Sequence, residues 1–226
     1  MIERIGGAGL TDALDCNVYV IRGRDRAVLV DAGAGRTPLP VPEDADTVIL
    51  THLHADHAAG AQALGRRGLA ILAHPWTAEG LAAGDEERSG LARARAWGMY
   101  PADQELPAWP DAHALQDGDE LELGGCHIRV LETPGHADGH LSLLVEHDGV
   151  RSLIAGDLVF PGGTISLQVA PDCSIEALWH SIERVRELAP DALYAGHLDP
   201  VTGDATAHLD QALAVFATGA IPAQHP

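Results

Sequence analysis

Seven side chains able to hold a metal ion sit directly behind short apolar runs of this chain. After TVIL (47–50) comes Thr51-His52-Leu53-His54-Ala55-Asp56-His57. CHIRVL (126–131) is followed by Glu132-Thr133-Pro134-Gly135-His136, SLIA (152–155) by Gly156-Asp157, and ALYA (192–195) by Gly196-His197. Imidazole nitrogens and carboxylate oxygens suit Zn²⁺, Fe²⁺ or Mn²⁺. No Cys belongs to the group, so a thiolate site is not expected. His52 and His54 leave a strand two residues apart, so they point the same way and grip one ion. Asp56 and His57 then face a second ion close by. A carboxylate has two oxygens, so Asp157 bridges both ions, His136 completes the first and His197 the second. This arrangement leaves room for a water between two divalent metal ions. A lone His at a strand end is usually structural; the ordered HxHxDH behind an apolar run sets this group apart.

Other residues carry two readings each. Asp31 ends AVLVD and either braces the HxH loop through a hydrogen bond or caps a turn. His74, behind LAILA, is a candidate for lining the site. His140, four residues after His136, reads as a packing or bracing histidine. His113, His127, His147, His180, His208 and His225 read as surface or core histidines. Cys173 either faces the site or is a buried thiol. Trp76, Trp97, Met99, Tyr100 and Trp109 either form an apolar wall over the metals or cover a small core of their own.

These residues need strands to present them. Residues 17–21 (NVYVI) and 27–31 (AVLVD) are β-branched runs joined by a turn at 22–25, which predicts a hairpin. Residues 47–50 and 69–73 (LAILA) predict further strands, with a helix over 57–67 that Gly60 weakens. Residues 75–116 differ, with four Pro and most of the large aromatics. They read as an irregular, partly helical excursion. Strands are expected at 120–123, 126–131, 141–146, 151–155 and 191–195. A helix over 173–189 presents Ile175, Leu178, Trp179, Ile182, Val185 and Leu188 on one stripe and is stopped by Pro190. A last amphipathic helix covers 205–217. This order predicts two α/β halves around packed sheets, with helices outside.

HLHADH (52–57), TPGH (133–136), GD (156–157) and GH (196–197), in that order, resemble the metallo-β-lactamase superfamily over essentially the whole chain. The resemblance implies a four-layer αββα sandwich with the site along one edge of the two sheets, and the metal roles given above. His57 in the Asp-His pair makes the chain look like the glyoxalase II, lactonase and persulfide dioxygenase branch. The chain departs from two of these after GD: Leu158-Val159-Phe160-Pro161-Gly162-Gly163 stands where glyoxalase II and persulfide dioxygenases tend to carry a Gly-Cys-Gly-Arg-like stretch. Tyr100 and Tyr194 are candidates for the Tyr that lactonase-like relatives use beside the metals.

As a hydrolase the chain would use two metals, zinc first and iron or manganese next, to activate a bridging hydroxide. The substrate would be a small ester, thioester or lactone, with Asp56 also moving a proton. The same ligands could instead form a mononuclear iron site for a persulfide dioxygenase-like reaction, with His52, His136 and Asp157 as the two-His, one-carboxylate set. A non-catalytic metal-binding protein is the third reading. The formal net charge is −19 and there is no Lys, so nucleic acid is not expected as a partner and Schiff-base chemistry of a Lys is excluded. Three widely spaced Cys fit reduced thiols in a cytoplasmic protein. No run reaches the length of a membrane span. The expectation is one domain over 1–226, acting on a small molecule, with 75–116 covering the site or making a homodimer contact.

Overall fold

The computed structural model describes residues 1–168 and 172–225. By its internal contacts the chain forms two units, Met1–Leu115 and Gln116–Pro226. The first holds a six-stranded sheet of β1 (Ile2–Gly6), β2 (Val18–Arg22), β3 (Ala27–Val30), β4 (Ala45–Ile49), β5 (Ala70–Ala73) and β6 (Ala112–Ala114), in that order. β1, β2 and β3 pair antiparallel, and β3 through β6 pair parallel. The expected hairpin is β2–β3, with Tyr19 opposite Val30 and Arg22 opposite Ala27. β3 is buried along its whole length, which explains a continuous apolar run rather than an alternating one. β1 was not foreseen: IERIG is half polar, and it forms because β2 offers it an unpaired edge.

The helix expected over 57–67 is two short helices, α1 (Ala55–Ala58) and α2 (Ala61–Arg66). The break falls at Gly60, whose N–H bonds Gly33 O at 3.0 Å. A Cβ there would lie 2.0 Å from Ala32 O, so only Gly lets the chain pass this close. The excursion is more regular than expected. It contains α3 (Pro75–Ala83), α4 (Leu91–Ala96) and β6. Trp109 lies against Gly65, where an added Cβ would meet its ring at 2.4 Å. Trp76, Tyr100 and Trp109 pack on the core of this unit, while Trp97 and Met99 are exposed. Most of the aromatics therefore cover the unit's own core.

The second unit holds a five-stranded sheet of β7 (Glu120–Glu122), β8 (His127–Glu132), β9 (Leu141–His147), β10 (Val150–Gly156) and β11 (Ala192–Ala195), in the order β11-β10-β9-β8-β7. Only β10 and β11 pair parallel. α5 (Ile175–Glu187) buries Leu178, Ile182 and Val185 from its apolar stripe. Its start is capped by Ser174, whose Oγ accepts from Ala177 N–H at 3.2 Å. Glu176 in its first turn and Arg184 and Arg186 in its last suit the helix dipole. α6 (Ala205–Phe216) packs beside it, with Trp179 and Phe216 stacked at 5.6 Å. Each fully buried Leu, Ile or Val here contributes about 1.5–3 kcal/mol. Among the described residues, no helix is long and apolar enough to cross a membrane.

Candidate metal centre

Strand direction brings the motifs together within each unit. β3, β4 and β5 are parallel, so Asp31, Thr51-His52 and His74 leave the sheet on the same edge. β8 and β10 both run antiparallel to β9, and β11 is parallel to β10. The segments carrying His136, Asp157 and His197 therefore also leave on one edge.

In the first unit the histidines are oriented from behind by Asp31 and Thr51. Asp31 is 1% exposed, and its φ of 67° turns the chain as β3 ends. Its carboxylate accepts from Thr51 N–H at 2.7 Å, from Thr51 Oγ1 at 3.0 Å and from His57 Nδ1 at 2.9 Å. The bracing reading of Asp31 is therefore the one the structure supports. A carboxylate only accepts, so His57 carries its proton on Nδ1 and its Nε2 lone pair faces outward. Thr51 gives its hydroxyl proton to Asp31 and so accepts from His52 Nδ1 at 3.0 Å. His52 thereby also presents Nε2. One carboxylate and one hydroxyl fix two imidazoles in the ligand tautomer.

The outward atoms have the spacing of ligands. Two donors about 2.05 Å from a tetrahedral zinc lie about 3.3 Å apart. His52 Nε2 and His54 Nδ1 are separated by 3.0 Å, and His57 Nε2 and Asp56 Oδ2 by 3.5 Å. Tyr100, from the excursion, donates its hydroxyl to Asp56 Oδ1 at 2.8 Å, which leaves Oδ2 toward His57. Burial and the neighbouring Asp56 push the Tyr100 hydroxyl well above its ordinary pKa, so it stays a donor. Cys16, Asp31 and His57 form a second possible ligand group in this unit. Burial raises the Cys16 thiol well above its usual range, which keeps it protonated and a poor ligand. His74 caps α3, its Nδ1 accepting from Trp76 N–H at 3.1 Å.

In the second unit Asp157 Oδ2 lies 3.6 Å from His136 Nε2 and 3.5 Å from His197 Nε2. His136 donates Nδ1–H to Ser166 O at 2.8 Å, so its Nε2 is the nitrogen that could bind an ion. Gly135 is indispensable to this turn. Its φ is +133°, and a Cβ would stand 2.2 Å from Leu178 N on α5. His140 proves to be a brace. Its Nε2 accepts from Asp157 N–H at 3.1 Å, so its Nδ1–H donates to Thr133 Oγ1 at 2.9 Å. Thr133 then meets Ser142 Oγ at 2.8 Å, which donates to Ala155 O. This relay ties TPGH to GD. His225 was read as a surface or core histidine; its ring lies 4.8 Å from Phe160 and 5.5 Å from His197. Of the two candidate tyrosines, Tyr100 is the one that bonds Asp56, whereas His225 shows no motif spacing and only tertiary proximity identifies it.

Each donor set therefore fits a divalent ion: its atoms have ligand spacing, and the far nitrogens of His52, His57 and His136 are held by acceptors. The sequence matches the metallo-beta-lactamase superfamily over residues 11–197. The chain is similar to the human protein named acyl-coenzyme A thioesterase MBLAC2, 29% identical over 66% of this chain and 60% of that protein. It is also similar to hydroxyacylglutathione hydrolase of Methylococcus capsulatus, 38% identical over 37% of this chain and 31% of that one. This chain spans about 60% of the length of the curated relatives it matches first. Its fold is that of solved superfamily structures. ST1585 from Sulfolobus tokodaii superposes with a TM-score of 0.76 at 22% identity, over 94% of this chain and 84% of that one. The B3 metallo-beta-lactamase BLEG-1 gives 0.71 at 21%, over 95% and 97%.

Proposed function

This chain belongs to the metallo-β-lactamase superfamily, and on that footing we propose that it is a metal-dependent hydrolase of small thioesters or related acyl esters and lactones. The observation that carries the proposal is the Asp31–Thr51 pair, which turns the Nε2 atoms of His52 and His57 outward together. In this reading His52, His54 and His136 would hold one ion, Asp56, His57 and His197 would hold the other, and Asp157 would be a ligand to both. Bound there, two divalent ions, zinc first, would supply a water of lowered pKa and an electrophile for the substrate carbonyl. The relatives named thioesterase and hydroxyacylglutathione hydrolase support the choice of substrate class.

The chain's own residues do the rest. Asp31, Thr51, Ser166 O and His140 hold the donors in place, so little reorganisation accompanies reaction. Tyr100 keeps one oxygen of Asp56 occupied and the other directed. The oxygen of water bonds to the carbonyl carbon and the carbon–sulfur bond breaks. Asp56 passes the water's proton to the departing sulfur. No Ser, Cys or Lys nucleophile is needed.

The test is elemental analysis of protein grown with balanced zinc, iron and manganese, followed by a panel of thioesters, esters and lactones. Two zinc ions per chain and thioester turnover abolished by chelator support the proposal. One iron per chain with oxygen uptake on persulfides, and no hydrolysis, overturns it.

A further inference from the structure

The second unit has an apolar cavity of about 690 Å³ that none of the donor residues lines. Leu167, Cys173, Ile175, Ile221, Pro222 and Ala223 form most of its walls, with Gln168 and Gln224 as the polar members. Ile175 and Ile221 are 42% and 51% exposed and line the same cavity, so they form one apolar patch rather than two isolated side chains. Its size falls within the range that holds small organic ligands.

Its walls adjoin residues that bond His136 and a ring that faces His197. Ser166, which accepts from His136 Nδ1, directly precedes Leu167. Cys173 Sγ donates to the backbone O of His136 at 3.0 Å. On the other side, Gln224 Oε1 accepts from Leu167 N–H at 2.8 Å, and His225 N–H bonds Ile165 O at 2.7 Å. These bonds pin residues 221–225 as one wall, and the next ring along it, His225, lies beside His197. The cavity wall thus adjoins the segments that carry Ser166, bonded to His136, and His225, which faces His197.

We infer that this cavity is the subsite for an apolar acyl chain, so that the substrate is a thioester or ester of a medium-length unbranched acid. The inference rests on the hydrolase reading above and names its substrate. A carbonyl at the ligands and an aliphatic tail against Leu167, Ile175 and Ile221 would bury surface that the folded chain leaves in water. Nothing in the lining is charged, so it rewards length rather than polarity.

Cys173 gives a readout that does not depend on turnover. Cys16 and Cys126 are fully buried, so maleimide labelling of the folded protein reports Cys173. Sodium decanoate should slow that labelling severalfold in metal-loaded and chelator-treated protein alike, while acetate at equal ionic strength should not. Ile221→Asp should abolish the protection and Ile221→Leu should keep it, with thermal unfolding showing that both variants fold. In turnover, kcat/KM should rise toward about fourfold per added methylene until the cavity is filled. Equal labelling with and without decanoate overturns the acyl subsite, even if short thioesters are hydrolysed. Protection by decanoate in a protein that hydrolyses no acyl substrate keeps the apolar subsite and overturns the hydrolase reading.

Discussion

Replacing Asp31 by Asn tests whether the ligand tautomers are set from behind. The side chains are almost the same size, so packing at this 1% exposed position is preserved. The remaining oxygen can still accept from Thr51 N–H and Oγ1, which reach the carboxylate at 2.7 and 3.0 Å. The new NH₂ then faces His57 Nδ1, 2.9 Å away in the native protein, and two donors meet. Either the bond is lost or His57 moves its proton to Nε2, the atom needed for an ion. A hydrogen bond to a charged group is worth about 1.5–3 kcal/mol. Loss of an outer partner of a metal-bound His lowers affinity about 10–100-fold, or about 1.4–2.7 kcal/mol. The two estimates agree. We expect competition titration of metal-stripped Asp31→Asn with a zinc-chelating dye to show that loss for one of two ions. The imidazole nitrogen shifts of His57 should report Nε2–H in the metal-free variant. Two ions bound with native affinity, together with Nδ1–H retained on His57, would refute the reasoning.

Three further substitutions probe the rest of the frame. Tyr100→Phe removes the donor to Asp56 Oδ1; kcat should fall at least tenfold with KM little changed, read from thioester kinetics. Gly135→Ala combines a left-handed φ with a clash against the backbone of Leu178, and urea denaturation should record a loss of about 3 kcal/mol or more. His140→Phe strands the buried N–H of Asp157; it should cost about 1–3 kcal/mol in the same assay and weaken zinc binding, whereas His113→Phe, at an exposed edge-strand position, should do neither.

The candidate donors stood out in sequence because a metal site restricts both residue type and spacing. His52, His54, Asp56 and His57 must be close in the chain to leave one strand together, and Gly135 and Gly156 must precede their ligands where the backbone turns sharply. The strands were legible for a similar reason: a buried strand needs a continuous β-branched run, as in VYVI and AVLV. The stripe of α5 carried its own period. What the sequence left open was every choice between near-equal uses of the same residue type. Asp31 could cap a turn or brace a histidine, and only the arrival of Thr51 and His57 from elsewhere on the sheet edge decided it. His140 and His74 look alike in sequence, each near a strand, yet one ties Asp157 to Thr133 and the other caps a helix. The break at Gly60 came from a distant carbonyl, Ala32 O, rather than from helix propensity. β1 formed because β2 exposed an edge. Tyr100 lies 44 residues from Asp56, and His225 lies 28 from His197. Local propensity and motif spacing act over a few residues, whereas contacts at such separations exist only after the chain has folded.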